Sequence, residues 1–196
     1  MSKYGHRSIN WFEAIVNKIG GEDAADRFLR DELVVRTAEK FFPVWKTLTL
    51  GRLASVVIYR AALKANGYPV GDYASQMLDK VVVAAAETEV DLVNVSVAEL
   101  GFKDGATYEA ICTRAKEFGL NRCPAEVGPK LRLEYTDQPY GEWLRIAMEP
   151  ITDSGGYLYI FGVDYDCGDR WLYGDGGDPD FFWDGSFRFV FVRPRK

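Results

Sequence analysis

The last quarter of the chain is built from a restricted set of residue types. From Pro150 to Arg195 there is no Glu, Lys, Gln or Met, whereas the first 149 residues contain 27 of these four types. An even distribution would place roughly eight of them in this segment. Aromatic, β-branched and small residues take their place, which predicts glycine-punctuated strands at about 157–163, 170–173 and 187–193. We therefore expect the chain to close with an antiparallel sheet.

The earlier part of the chain has mainly helical patterns. Apolar residues from Trp11 to Ile19 recur at helical spacing and predict a helix over 8–19, and Gly20-Gly21 separates it from a second helix over 22–32. Further segments are predicted as helices over 52–66, 72–80 and 107–118, and as strands over 44–50, within 90–100 and over 142–149. Helices first and strands later indicate an α+β fold, with a helical segment at 1–42 and one domain at 43–196.

The restricted composition also has a signature at the level of codons. Apart from Trp171 and Trp183, every residue type between Pro150 and Arg195 can be encoded by a codon that ends in a pyrimidine. Glu, Lys, Gln, Met and Trp cannot be encoded in that way. The segment therefore indicates a process that acts on codons rather than selection on protein chemistry alone.

Charge and composition argue against several classes of protein. The net charge is −5, whereas a protein that binds a nucleic-acid backbone needs a basic face. No apolar run approaches the ~20 residues of a membrane span, and the N-terminus has no apolar signal core. The three cysteines are odd in number and lack metal spacing, so we expect free thiols in a reducing compartment. These features predict a cytoplasmic protein without nucleic-acid or membrane partners.

Catalytic constellations are weak in this sequence. His6 is the only histidine and lies near the N-terminus, so a core Cys-His or Ser-His-Asp site cannot be built. The pairs Glu87/Glu89 and Glu126/Glu134 are expected to be exposed surface carboxylates rather than an acid and a base. We therefore predict no enzyme activity and no cofactor.

The C-terminal aspartates leave two alternatives open. Residues 151–187 hold eight Asp and one Arg, and carboxylates in glycine loops could bind a divalent cation, as in a calcium site or a metal-dependent hydrolase. No acid closes an EF-hand loop, so solvated turn residues are the simpler interpretation. A mobile-element regulatory protein with one fixed partner is the other alternative. Stabilisation by calcium or manganese would favour the hydrolase.

The density of Tyr, Phe, Asp, Gly and Ser in this segment resembles the chemistry of antibody paratopes. Tyr and Phe provide large contact areas at low entropic cost, while small polar residues adapt their hydrogen bonds. An aromatic β core is the alternative, but the aromatics from Tyr173 to Phe187 do not keep a period of two. Trp143, Trp171 and Trp183 are nevertheless expected to be core residues.

Several motifs resemble one known family. They are Arg170-Trp-Leu, Asp178-Pro-Asp, Trp183 and the run Arg188-Phe-Val-Phe-Val-Arg193, together with 20–30, 45–51, 89–102, 123–129 and 141–154. This pattern is similar to variable proteins of diversity-generating retroelements, especially a bacterial group common in metagenomes. In such systems a reverse transcriptase miscopies template adenines, so that Asn codons become almost any pyrimidine-ending codon.

The resemblance implies a C-type-lectin-like fold whose diversified face, at about 156–187, binds an unknown ligand, expected to be a protein, without a required calcium ion. Scaffold positions would be Trp171, Leu172, Pro179, Trp183 and 189–192. The candidate variable contacts are Tyr157, Tyr159, Gly162, Tyr165, Asp166, Cys167, Tyr173, Gly174, Asp175, Gly176, Asp178, Phe181, Phe182, Asp184, Ser186 and Phe187. We expect these contacts to be exposed, with Tyr157, Tyr165, Tyr173, Phe181 and Phe187 forming one contiguous patch.

Overall fold

The structure is a computed structural model that describes residues 8–32 and 41–195. Backbone proximity divides the chain into two compact units, Met1–Lys40 and Phe41–Lys196. The described part is a mixed α+β protein with six helices and a mostly antiparallel sheet. No helix in the described ranges combines the length and the hydrophobicity needed to cross a membrane.

The first unit contains two short helices, α1 (Ile9–Ile19) and α2 (Glu22–Leu29). The α1 helix ends at Gly20, whose φ of 114° places it in the left-handed region that glycine adopts most easily. Glu22 and Asp23 lie in the first turn of α2, where the helix dipole favours negative charge. The prediction of two helices is confirmed, although α2 ends three residues earlier than expected.

The second unit contains the main sheet and four further helices. Its elements, in chain order, are β1 (Lys46–Leu50), α3 (Val56–Ala65), α4 (Asp72–Leu78), β2 (Thr88–Ser96), β3 (Ala106–Thr107), α5 (Tyr108–Glu117), α6 (Val127–Glu134), β4 (Trp143–Ile146), β5 (Ile151–Thr152), β6 (Leu158–Asp166), β7 (Asp169–Gly176), β8 (Phe182–Trp183) and β9 (Arg188–Arg193).

The main sheet has the strand order β1-β2-β9-β4-β6-β5, and β7 pairs with the other edge of β6. Its strand pairs are antiparallel except β4 with β9, which run parallel. The last strand therefore returns to the middle of the sheet, between β2 and β4. A second, two-stranded sheet joins β3 to β8.

A tight hairpin joins β6 to β7. The two loop residues, Cys167 and Gly168, have φ of 52° and 87°, as in the turns that match the natural twist of paired strands. The strand β7 is longer than the predicted 170–173 and continues through Gly174 and Gly176. These glycines are tolerated because β7 pairs with a strand on one side only, apart from a single bridge between Val70 and Leu172.

One buried carboxylate corrects a prediction from the sequence. Glu126 was expected at the surface, but it is almost completely buried. Its carboxylate accepts hydrogen bonds from the backbone N–H of Gly51 (2.8 Å) and Ala84 (2.7 Å) and from the hydroxyl of Tyr59 (2.7 Å). These three donors replace the water that burial removes, and they join Glu126 to Tyr59 of α3 and to the segments that contain Gly51 and Ala84.

Candidate binding face

The register of the β6–β7 hairpin determines which side chains share a face. Asp164 lies opposite Trp171, and Gly162 lies opposite Tyr173. Because side chains alternate along a strand, these positions share one face. On the neighbouring strand, Trp143 lies opposite Asp164 and Arg145 opposite Gly162. We call this surface the open face, which consists of Trp143, Arg145, Gly162, Asp164, Trp171, Tyr173 and Asp175.

The opposite face of the same strands packs against helices. Tyr73 of α4 stacks on Tyr159 with ring centroids 4.4 Å apart. Gly128 of α6 lies so close to Phe161 that an added Cβ would approach the ring to 2.6 Å. Val163 and Leu172 are completely buried on this side. The helices α4 and α6 therefore support the hairpin on the side opposite the open face and fix the position of that face.

The candidate variable residues differ in accessibility. Eight are exposed: Tyr157, Cys167, Tyr173, Asp178, Phe181, Phe182, Asp184 and Ser186. Six are half-buried: Tyr159, Tyr165, Asp166, Asp175, Gly176 and Phe187. Gly162 and Gly174 are buried, contrary to the prediction that every candidate contact is exposed. An added Cβ would lie 2.7 Å from Asp175 Oδ2 at Gly162 and 2.8 Å from Tyr73 Cβ at Gly174.

The five candidate aromatics do not form one patch on a single face. Tyr165 lies opposite Arg170, on the helix side of the hairpin, and its ring contacts Tyr140 at 5.4 Å. Tyr173 lies on the open face, and its ring centroid is 5.9 Å from that of Trp171. The prediction of one contiguous patch was wrong. Side chains alternate between the two faces of a strand, so Tyr165 and Tyr173 lie on opposite faces of the sheet.

The predicted scaffold positions are mostly buried. Trp183 is only 4% exposed and packs against Phe181, Phe187 and Phe189, so its role as a core residue is confirmed. Leu172, Phe189, Val190 and Phe191 are also buried, whereas Trp171 and Val192 are half-buried and Pro179 is exposed. Trp143 was expected in the core but is 43% exposed, because its strand position points to the open face.

The loop around β8 is held by its own aspartates. Asp178 Oδ1 accepts from the Asp180 N–H and Asp184 Oδ1 from the Ser186 N–H, both at 2.9 Å. The hydrogen bond at Ser186 lowers the pKa of Asp184. These local turns explain the aspartates as backbone caps, and they hold the exposed Phe182 side chain on an ordered loop.

Arg145 lies at the centre of the open face, although sequence reasoning did not identify it as a site residue. It is only 2% exposed, and its Nε lies 3.1 Å from Asp175 Oδ2. The guanidinium is about equally far from three rings, at 5.3 Å from Trp143, 5.3 Å from Trp183 and 5.0 Å from Phe187. A charged residue inside the apolar run Trp143–Met148 was the available signal. Trp143, Arg145 and Phe187 border a depression of about 390 Å³ that is also lined by Glu142, Ser186 and Arg188.

The charges at this centre do not balance in pairs. Arg145 Nη1 is 4.0 Å from Asp164 Oδ1, so one guanidinium serves two carboxylates. Burial raises the pKa of Asp164 to about 7, with Arg145 opposing that shift, and burial also raises the pKa of Asp175. Neither Asp164 Oδ1 nor Asp175 Oδ2 receives a well-aligned hydrogen bond. The centre is therefore electrostatically strained when both carboxylates are ionised.

The described residues give little geometric support to the metal-site alternative raised by the sequence. Within residues 8–32 and 41–195, no three His, Cys, Asp or Glu side chains are placed to hold a metal ion. Cys112 and Cys123 are buried, Cys167 is exposed, and all three are free thiols. His6 lies outside the described ranges. Comparisons with protein-family models, with curated proteins and with solved structures found no match.

Proposed function

We propose that this chain is a ligand-binding variable protein of a diversity-generating retroelement, with a C-type-lectin-like domain at 43–196. The proposal rests on one observation, that the segment of restricted composition coincides with the exposed hairpin and loop. The segment that lacks Glu, Lys, Gln and Met supplies the β6–β7 hairpin and the β8 loop, where exposed candidate contacts alternate with buried scaffold residues. A codon-level process confined to such positions would change a surface and leave the core intact.

The way in which this surface would bind follows from its residue types. Tyr157 is 69% exposed and Tyr173 44%, and Phe182 projects from an ordered loop. Such aromatic side chains contribute most of the affinity in protein interfaces, and the small residues between them set the shape. Because the hairpin rests on α4 and α6, its backbone is positioned before a ligand arrives, which lowers the entropic cost of binding.

We further propose that the ligand is a protein and that binding takes place in the cytoplasm. The exposed aromatic side chains of Tyr157, Tyr173 and Phe182 suit a protein partner. Three free cysteines suit a reducing compartment.

Sequencing the gene in sibling strains tests the proposed function. We expect substitutions to concentrate at the exposed candidate contacts, with Trp183 and Phe189–Phe191 unchanged. A reverse-transcriptase gene and a near-copy of the C-terminal coding region should lie nearby. Substitutions spread evenly along the chain, without such a copy, would refute the proposal.

A further inference from the structure

We propose that helices α1 and α2 form a dimerisation surface, and that a second copy of this chain covers their exposed apolar side. This inference concerns assembly and goes beyond the proposed function, because it involves neither the β6–β7 hairpin nor the β8 loop.

The two helices contact each other through only part of their apolar residues. In α1 the half-buried apolar residues are Val16 and Ile19, and in α2 they are Ala24 and Ala25. The helices approach closely at their junction, where a Cβ added to Gly20 would lie 3.2 Å from the Ala24 Cβ. Because the two alanines are small, this contact buries little apolar area.

The other apolar residues of the pair face outward. We call them the helix-pair surface, and they are Ile9, Phe12, Ile15, Phe28 and Leu29. Each is between 40% and 78% exposed, and none of the described residues 8–32 is buried. A unit of this size cannot build a sufficient core from its own side chains, and small units commonly gain one by oligomerisation. The helix-pair surface therefore needs a second apolar surface.

The area of the helix-pair surface is close to what a stable dimer needs. A large apolar residue has about 150–250 Å² of accessible surface, so the exposed fractions of the five side chains correspond to roughly 500 Å² per copy. Apolar atoms contribute about 60% of a protein interface. The apolar area therefore corresponds to roughly 800 Å² in total, which is what each partner buries in an interface of standard size.

The charges around this surface allow it to pair with its own copy. At 100° per residue, Glu13 and Lys18 lie on opposite edges of the apolar stripe of α1, and Glu22 and Arg27 lie on opposite edges of that of α2. Residues 1–40 contain seven acidic and seven basic side chains, so their net charge is zero with His6 neutral. Two copies therefore do not repel each other as two surfaces of one sign would.

Two copies also complete a familiar arrangement of helices. Together they supply four helices, the number that surrounds a shared core in a four-helix bundle. Two-fold symmetry places the same patch on both sides of the interface, so each helix-pair surface covers the other.

A membrane surface fits the helix pair less well than a second copy does. Helices that lie on a membrane have Lys and Arg along their polar face, because anionic lipids attract them. The polar face of α2 instead begins with Glu22 and Asp23 and continues with Asp26. An anionic bilayer would repel these carboxylates.

Dimerisation would change how the protein binds its ligand if the proposed function holds. A dimer contains two copies of the candidate binding face, so a ligand with repeated epitopes would be bound with avidity rather than through one face alone.

Sedimentation velocity of the full chain at about 1–100 µM tests the proposal. One chain has a mass of 22.1 kDa. We expect the mass to rise with concentration to twice that value, with a Kd of about 10 µM or below, since interfaces of this size have micromolar or tighter affinities.

Four variants locate the interface. Phe12→Glu and Leu29→Glu place a charge on the helix-pair surface, one on each helix, and each should raise the Kd of the dimer at least about 30-fold. Phe12→Leu keeps an apolar side chain and should stay within about threefold of the wild type. Val57→Glu is the matched control, because it adds the same charge at an exposed apolar position of α3 in the second unit. It should leave the Kd unchanged.

Three results would overturn the proposal. The first is a mass of one chain at every concentration, and the second is a dimer that both glutamate variants leave intact, which would place the interface elsewhere. The third is a monomer that sediments with phosphatidylcholine vesicles containing about 30% phosphatidylserine, which would make the helix pair a membrane-binding element. None of these results bears on the variable-protein proposal, which depends on substitutions among sibling strains.

Discussion

Replacement of Asp164 by asparagine tests the electrostatics of the open face through protein stability. Burial raises the pKa of Asp164 from 3.8 to about 7. The folded state therefore keeps this proton up to about pH 7, whereas the unfolded chain releases it near pH 4. Since the folded state binds more protons between these values, the free energy of unfolding falls as the pH rises through that window.

The magnitude follows from the width of the window. A difference of one in pKa corresponds to about 1.4 kcal/mol, so the full effect of Asp164 is roughly 4 kcal/mol. Between pH 5 and pH 8 the pH passes through about two-thirds of the window, which gives a loss of about 2–3 kcal/mol. The side chain is only 8% exposed, so solvent screening reduces this value little.

The assay is urea unfolding of the wild type and Asp164→Asn at pH 5 and pH 8. We expect the wild type to lose about 2–3 kcal/mol more than the variant over this interval. Asp175, whose pKa burial also raises, leaves some pH dependence in the variant. The control Asp79→Asn removes an exposed carboxyl that pairs with Arg60, and its loss of stability between pH 5 and pH 8 should equal that of the wild type. If the Asp164→Asn curve is also parallel to the wild type, Asp164 is not a strained buried carboxyl and the electrostatic argument fails.

Three further predictions concern stability and are measured by urea unfolding. Trp183→Ala should cost about 3–5 kcal/mol because it removes a buried indole, whereas Phe182→Ser, at an exposed position, should stay within about 0.5 kcal/mol; similar losses would place the β8 loop in the core. Glu126→Ala should cost about 3 kcal/mol because it leaves the buried Tyr59 hydroxyl and two half-buried backbone N–H groups without their acceptor. Its control, Glu87→Ala, removes an exposed carboxylate, and an equally small effect at Glu126 would contradict the proposed role. Gly174→Ala should cost about 1–3 kcal/mol through the clash with Tyr73, and a neutral effect would mean that α4 can move.

Local signals made several elements predictable. Thr107 was expected to cap a helix, and its Oγ1 accepts from the Ala110 N–H. The α3 helix ends at Ala65, next to the expected stop at Asn66-Gly67. In both cases the information lies within a few residues of the helix end, where side-chain capping and glycine conformation decide the outcome.

The centre of the site was not predictable by the same reasoning. Arg145, Asp164 and Asp175 come from three strands and meet only through the sheet register. Sequence reasoning treated the aspartates as loop residues and Trp143 as core, because it could not tell which side of a strand faces the helices. Alternation fixes the relative orientation of residues on one strand, but only the packing of α4 and α6 decides which face remains open.

The turn at Cys167 limits which residues the hairpin tip can accept if the segment is diversified. Its φ of 52° is unfavourable for most side chains by about 1–2 kcal/mol, and most of all for β-branched residues, whereas glycine, asparagine and aspartate tolerate it. Mutagenesis of the codon would produce isoleucine, valine and threonine as readily as glycine, but the first three would weaken the turn. The repertoire of folded proteins would therefore be smaller than the repertoire of encoded ones, and the backbone of the tip would filter variants before any ligand does.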